Sequence, residues 1–145
     1  MILYDQMRHI SYSEKDTYEL GKSMAAEAFP GQIICLDGDL GAGKTVFTKG
    51  FAAGLGITET VNSPTFTIVH EHGGGRLPLY HFDVYRIEEP EEMYEIGYEE
   101  YFFGEGVCLV EWASLIGDLI PEGAVRVTIK RDPSGPEDCR IIDIT

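Results

Sequence analysis

One stretch constrains the fold of this chain more than any other: an apolar run, a glycine-rich segment and a helical apolar spacing, in that order. Gln32-Ile33-Ile34-Cys35-Leu36 predicts a short strand, and Phe47, Phe51 and Leu55, each four residues apart, predict a helix. Between them stands Gly38-Asp39-Leu40-Gly41-Ala42-Gly43-Lys44-Thr45. Glycine at 38, 41 and 43 lets the backbone turn tightly, partly at positive φ, so that successive N–H groups converge on an anion. Lys44 supplies a point charge for the β- and γ-phosphates of a nucleotide, Thr45 a hydroxyl for magnesium, and the helix that follows adds its positive end.

Strand, loop and helix in this order predict a P-loop nucleoside triphosphatase. Its nucleotide contacts fall on Gly38, Gly41, Ala42, Gly43, Lys44, Thr45 and Val46, and ATP with Mg2+ are the expected ligands.

The rest of the chain supplies a sheet for the strand. Ser13, with Asp16 three residues on, caps a predicted helix whose Leu20, Met24 and Ala28 share a face and which Pro30-Gly31 stops. Residues 66–71 and 77–85 read as two strands joined by Gly73-Gly74-Gly75, antiparallel because so short a connection cannot cross over. Residues 89–103 read as helical with a break near Gly97. Val107-Cys108-Leu109-Val110-Glu111, an apolar run ending in an acid, predicts a central strand buried on both faces. Residues 125–130 and 140–144 alternate apolar with polar and form a terminal hairpin across the turn Asp132-Pro133-Ser134-Gly135-Pro136. The expectation is an α/β fold: one P-loop ATPase domain over residues 1–145, with a mixed central sheet flanked by helices.

Composition narrows the function classes. No apolar run approaches the roughly 18 residues of a membrane span, and Met1-Ile2-Leu3-Tyr4-Asp5 lacks a basic region before an apolar one, so a cytoplasmic protein with no membrane partner is expected. Cys35, Cys108 and Cys139 are odd in number and lack metal-ligand spacing; they predict buried free thiols. With 25 acidic against 11 basic residues the net charge is −14, which disfavours a direct grip on tRNA or DNA.

A P-loop enzyme also needs an acid near magnesium, at the end of a buried strand. Glu111 and Asp83 qualify, the first after a uniformly apolar run and the second after Leu79-Tyr80-His81-Phe82. Ser63 and Thr65, between the P-loop helix and the next strand, lie where nucleotide-sensing switch loops occur. His81, between apolar neighbours, reads as a structural histidine, and Trp112 as core rather than partner surface. Glu88, Glu89, Glu91, Glu92, Glu95, Glu99 and Glu100 read as a solvated helical face, with a basic protein partner as the sharper alternative.

Taken together the P-loop, Ser63-Pro64-Thr65-Phe66, His81-Phe82-Asp83-Val84-Tyr85-Arg86 and Glu111-Trp112 resemble the TsaE family, bacterial ATPases of tRNA threonylcarbamoyladenosine biosynthesis, over about residues 13 to 121. The resemblance implies that Thr45 and Glu111 hold magnesium, that Lys44 holds the phosphates and that Ser63 and Thr65 lie in the first switch. Asp83 would be a second catalytic or switch acid. The implied partners are TsaD and TsaB, with tRNA met only through that complex. Ala113-Ser114 departs from the usual family pattern after Trp112 and puts a peripheral contact in doubt.

Two rivals share the loop. A P-loop kinase of a small metabolite needs a mobile arginine-bearing lid, whereas Arg8, Arg76, Arg86, Arg126, Arg131 and Arg140 do not cluster in sequence. A GTPase is less favoured because no Asn-Lys-x-Asp guanine signature occurs. The non-enzyme rival is a nucleotide-dependent binding switch whose ATP occupancy, not hydrolysis, sets partner affinity.

Overall fold

A computed structural model describes residues 7–38, 43–61 and 68–145. Its elements in chain order are β1 (Met7–Ser11), α1 (Glu14–Ala26), β2 (Ile33–Gly38), α2 (Lys44–Gly54), β3 (Val69–His72), β4 (Leu79–Asp83), α3 (Glu92–Glu95), α4 (Tyr98–Phe102), β5 (Val107–Glu111), a 3-10 segment (Ala113–Leu119), β6 (Val125–Arg131) and β7 (Arg140–Ile144). The described strands form one mixed sheet in the order β1-β7-β6-β2-β5-β4-β3. Its centre, β6-β2-β5-β4, is parallel, while β3, β7 and β1 pair antiparallel at the two sides. The predicted α/β fold with a mixed sheet and flanking helices is the fold observed.

Alternation along the two central strands divides the core into two layers. Ile34, Leu36, Val107 and Leu109 face a layer with Met24 and Ala25 of α1 and Phe47 and Phe51 of α2. Ile33, Cys35, Cys108 and Val110 face the other, with Phe82, Met93, Tyr98, Phe102 and Ile116. Because every residue of β5 is buried, an uninterrupted apolar run is what such a strand requires.

The local signals act as the sequence implied at several points. The Ser13 Oγ accepts the Asp16 N–H at 3.2 Å and opens α1, while the Asp16 carboxylate accepts the Tyr12 N–H at 2.9 Å. The expected 89–103 helix is two short helices, α3 and α4, separated by Gly97 at φ 68°, where a left-handed residue cannot continue either one. β1 and the 3-10 segment have no counterpart among the elements that the sequence predicts. Residues 66 and 67 of the expected strand lie outside the described residues; Val69–His72 pairs with β4 as the hairpin argument requires. All three cysteines are free and buried, and burial pushes the thiols of Cys35 and Cys108 up to about 11 and about 12. No described helix is long and apolar enough to cross a membrane.

Helices α1 and α2 touch through glycine. A Cβ on Gly21 would collide with the Phe47 carbonyl oxygen, and one on Gly50 with the Tyr18 carbonyl oxygen. Backbone cannot yield as a flexible side chain does, so this contact fixes where α2, with Lys44 as its first residue, sits over the sheet. We predict that Gly50→Ala destabilises the fold: overpacking costs about 1–3 kcal/mol, more than the roughly 1 kcal/mol that alanine returns in helix propensity. A melting curve showing equal or higher stability in the variant would contradict this contact.

Candidate functional site

The site lies at the carboxyl ends of the parallel strands. Gly43, at φ 111°, occupies the left-handed region that glycine adopts without a Cβ penalty and turns the chain into α2. Its N-cap residue, Gly43, has no side chain with which to cap the first N–H groups of the helix. Lys44 points inward, its side chain only 10% exposed, and its Nζ stands 3.9 Å from Glu111 Oε1 and 4.8 Å from the centre of the Trp112 ring. Thr45, by contrast, is exposed, and Val46 is half-buried.

Pairing places the acids. Leu36 of β2 is opposite Glu111 of β5, and Glu111 is in turn opposite Asp83 of β4, so both acids lie on the face that carries Leu79, Val107 and Leu109. Glu111 is 4% exposed, and its Oε2 accepts a hydrogen bond from His81 Nε2 at 2.7 Å. Burial holds the Asp83 carboxyl above the ordinary carboxylate range, and the charge of Glu111 adds to the shift; the backbone N–H of Tyr85, donating at 3.1 Å, opposes it.

Trp112 sits at φ 62°, a left-handed conformation that costs a non-glycine residue about 1–2 kcal/mol. Its ring lies against Lys44 and, 4.8 Å between centres, against the exposed ring of Tyr85. The reading of Trp112 as core holds in part: the residue is half-buried and packs against the second core layer, and its ring also forms a wall of the site. Beside it opens a cleft of about 360 Å³ bounded by Asp37, Lys44, Trp112, Ser114, Thr128 and Lys130. Burial raises Asp37 as it does Asp83, with Arg126 and Lys44 opposing.

Of the sequence-predicted residues, the structure brings together Lys44, Asp83 and Glu111, with Gly38 and Gly43 at the strand tip and helix start. Gly41, Ala42, Ser63 and Thr65 lie outside the described residues. Sequence alone does not single out Asp37 or Thr128 and gives His81 no part in the site, because cleft membership depends on strand order and the His81–Glu111 bond on register. The described residues include no group of three His, Cys, Asp or Glu side chains able to hold a metal by themselves.

A family profile described as threonylcarbamoyl adenosine biosynthesis protein TsaE matches residues 11–140. The chain belongs to the TsaE family. The tRNA threonylcarbamoyladenosine biosynthesis protein TsaE of Bacillus subtilis strain 168 is 54% identical over 126 residues, covering 87% of this chain and 78% of that protein. The protein of the same name from Treponema pallidum strain Nichols is 42% identical over 124 residues, covering 86% and 91%. A crystal structure of Bacillus subtilis YdiB matches with a TM-score of 0.82 at 45% identity, over 99% of this chain and 87% of that one. In this TsaE-family chain the matched region takes in every described element from α1 to β6.

Asp83 generates a pH prediction. Its carboxyl binds a proton more readily in the folded than in the unfolded chain, so ionisation of Asp83 costs stability. That cost is absent below the ordinary Asp range near about 3.9 and grows as pH rises through it. Asp83→Asn, which keeps an oxygen for the Tyr85 N–H, is expected to melt higher than wild type at neutral pH. The two melting temperatures are expected to converge as pH falls below about 4. Paired melting curves across this range check it; a variant that melts lower at neutral pH would contradict the assignment.

Proposed function

We propose that this chain hydrolyses magnesium ATP and, through protein contacts with TsaD and TsaB, supports threonylcarbamoylation of adenosine 37 in tRNAs reading codons that begin with A. The observation that carries the reading is the inward-turned Lys44 beside the buried acid Glu111, at the start of a helix that opens on a glycine with no capping side chain. A lysine whose side chain is nine-tenths buried and whose ammonium stands 3.9 Å from the Glu111 carboxylate is a charge held ready for an anion.

In this reading the loop N–H groups and Lys44 bind the phosphates, and the cleft toward Thr128 and Lys130 takes the rest of the nucleotide. The Thr45 hydroxyl and Glu111 would hold magnesium, which when bound offsets phosphate charge. Ser63 and Thr65 would sense the γ-phosphate. Asp83, whose raised pKa favours the protonated form, takes the proton as a water oxygen bonds to the γ-phosphorus and the bond to the β–γ bridging oxygen breaks, leaving ADP and phosphate.

The partner reading rests on charge and shape. Seven glutamates and no basic residue stand between positions 88 and 100, with exposed Tyr94 and Phe103 on the same helices or their ends. One glutamate also serves the local backbone, since Glu92 accepts the N–H groups of Glu88 and Glu89 at 2.8 and 3.0 Å, and these bonds lower its pKa. The metabolite-kinase rival loses two arginines to structural work, since Arg8 pairs with Asp143 and Arg76 donates to the carbonyls of Ala25 and Ala28.

Lys44→Ala and Thr45→Ala are expected to weaken magnesium ATP binding or turnover by about 10- to 150-fold, the worth of one charge-assisted bond. Glu111→Gln is expected to keep most nucleotide binding, with less tightening by Mg2+, and to lose turnover. Hydrolysis assays with ATP and GTP, with and without TsaD, TsaB and tRNA, check all three. A wild-type rate in every variant would contradict the reading, and a Glu111→Gln variant that kept full biological activity would favour the binding switch.

Reversal of Glu91, Glu95 and Glu99 to lysine, which spares the Glu92 cap, is expected to slow association with the TsaD–TsaB complex. Added salt is expected to slow the wild type likewise, as the Debye length shrinks to about 8 Å at physiological ionic strength. ATP binding should not change. Association rates indifferent to both would return these acids to a solvated face, and tight tRNA binding by the chain alone would contradict the indirect role.

A further inference from the structure

We propose that His81 is a positioning residue that divides the labour of the two Glu111 oxygens, retaining Oε2 so that Oε1 alone faces the nucleotide site. The inference rests on the proposed ATPase reading and extends it to a residue whose neighbours in sequence made it read as structural.

Three observations carry it. His81 is 1% exposed and Glu111 4%, so neither group can exchange the other for bulk water. The 2.7 Å bond joins His81 Nε2 to Glu111 Oε2, while the other oxygen, Oε1, faces Lys44 Nζ at 3.9 Å. Among the described residues His81 Nδ1 has no hydrogen-bond partner, so the bond to Glu111 is the one polar contact they give the ring.

Strand register explains how a residue two positions before Asp83 reaches Glu111. His81 is opposite Leu109, and alternation sends His81, Asp83 and Glu111 to one face, leaving His81 one step deeper and diagonal to Glu111. A carboxylate only accepts, so Nε2 carries the hydrogen and donates it. The bond holds the terminal torsion of Glu111, which is otherwise broad. Without it, a buried carboxylate oxygen loses its partner and Lys44 is the nearest replacement. Lys44 and Glu111 would then neutralise one another where each is needed for the nucleotide.

The test exploits side-chain length. His81→Gln can place an N–H donor near the Nε2 position, whereas His81→Asn places it near Nδ1. His81→Asn is expected to lower kcat by about 10- to 100-fold, with ATP KM moving far less, and His81→Gln to recover most of the loss. Independently of turnover, calorimetry of ADP with and without Mg2+ should show the magnesium-dependent tightening reduced by a similar factor in His81→Asn. Adding His81→Asn to Glu111→Gln should reduce it no further. In the imidazole NMR spectrum of the nucleotide-free protein, the His81 Nε2–H proton should stand downfield and move when Glu111 becomes Gln.

Folded His81→Asn with wild-type tightening and kcat would overturn the proposal, as would full additivity with Glu111→Gln. If the wild type itself failed to hydrolyse ATP, the proposed function would fall, while the ADP and NMR measurements would still decide the role of His81.

Discussion

The parallel pairing of β2 with β5 is the constraint on which the rest of this structure depends. It joins two strands that are apolar on both faces, so each must lie inside the sheet with a packed layer above and below. The pairing also sets a fixed register, Ile33 against Cys108 through Leu36 against Glu111. The acid that ends one strand therefore arrives beside the carboxyl end of the other. Slipping the register by one residue would turn Glu111 to the opposite face and bring apolar side chains to the nucleotide side. The α1–α2 glycine contact completes the frame by fixing the helix that begins with Lys44.

Much of this was legible because its causes are local. The order strand, glycine loop, helix, the Ser13 cap and the break at Gly97 each follow from a few neighbouring residues. The buried strand ending in Glu111 follows from one apolar run. What escaped depends on distant pairing. β1 is held by β7, more than a hundred residues away, and nothing in Met7–Ser11 alone announces that partner. His81 looks structural until β4 is laid beside β5. Trp112 does pack against the core, but its second role shows only because the chain turns left-handed directly after β5 and brings the ring against Lys44.

In the proposed function, a nucleotide would give the charges gathered at this site their partners. Lys44, Glu111 and Asp83 converge in a partly dry space, where burial, and after it the charge of Glu111, disfavours ionisation of Asp83. The strained backbone at Trp112 adds to this. Such groups are costly for the fold alone and useful for holding phosphate and a cation. Membership of the TsaE family agrees with a site of this kind, and the net charge of −14 agrees with work done through protein partners rather than by gripping tRNA.

The central claim is that Lys44 rests on Glu111 only until phosphates arrive, whereas Glu111 stays on His81 throughout. A crystal structure of the chain with Mg2+ and a non-hydrolysable ATP analogue tests this most directly. The account predicts Lys44 Nζ moved from Glu111 Oε1 onto the β- and γ-phosphates, with the His81 Nε2 to Glu111 Oε2 bond intact. Phosphates bound away from Gly43 and Lys44, or a Lys44 still directed at Glu111 beside a bound nucleotide, would contradict it.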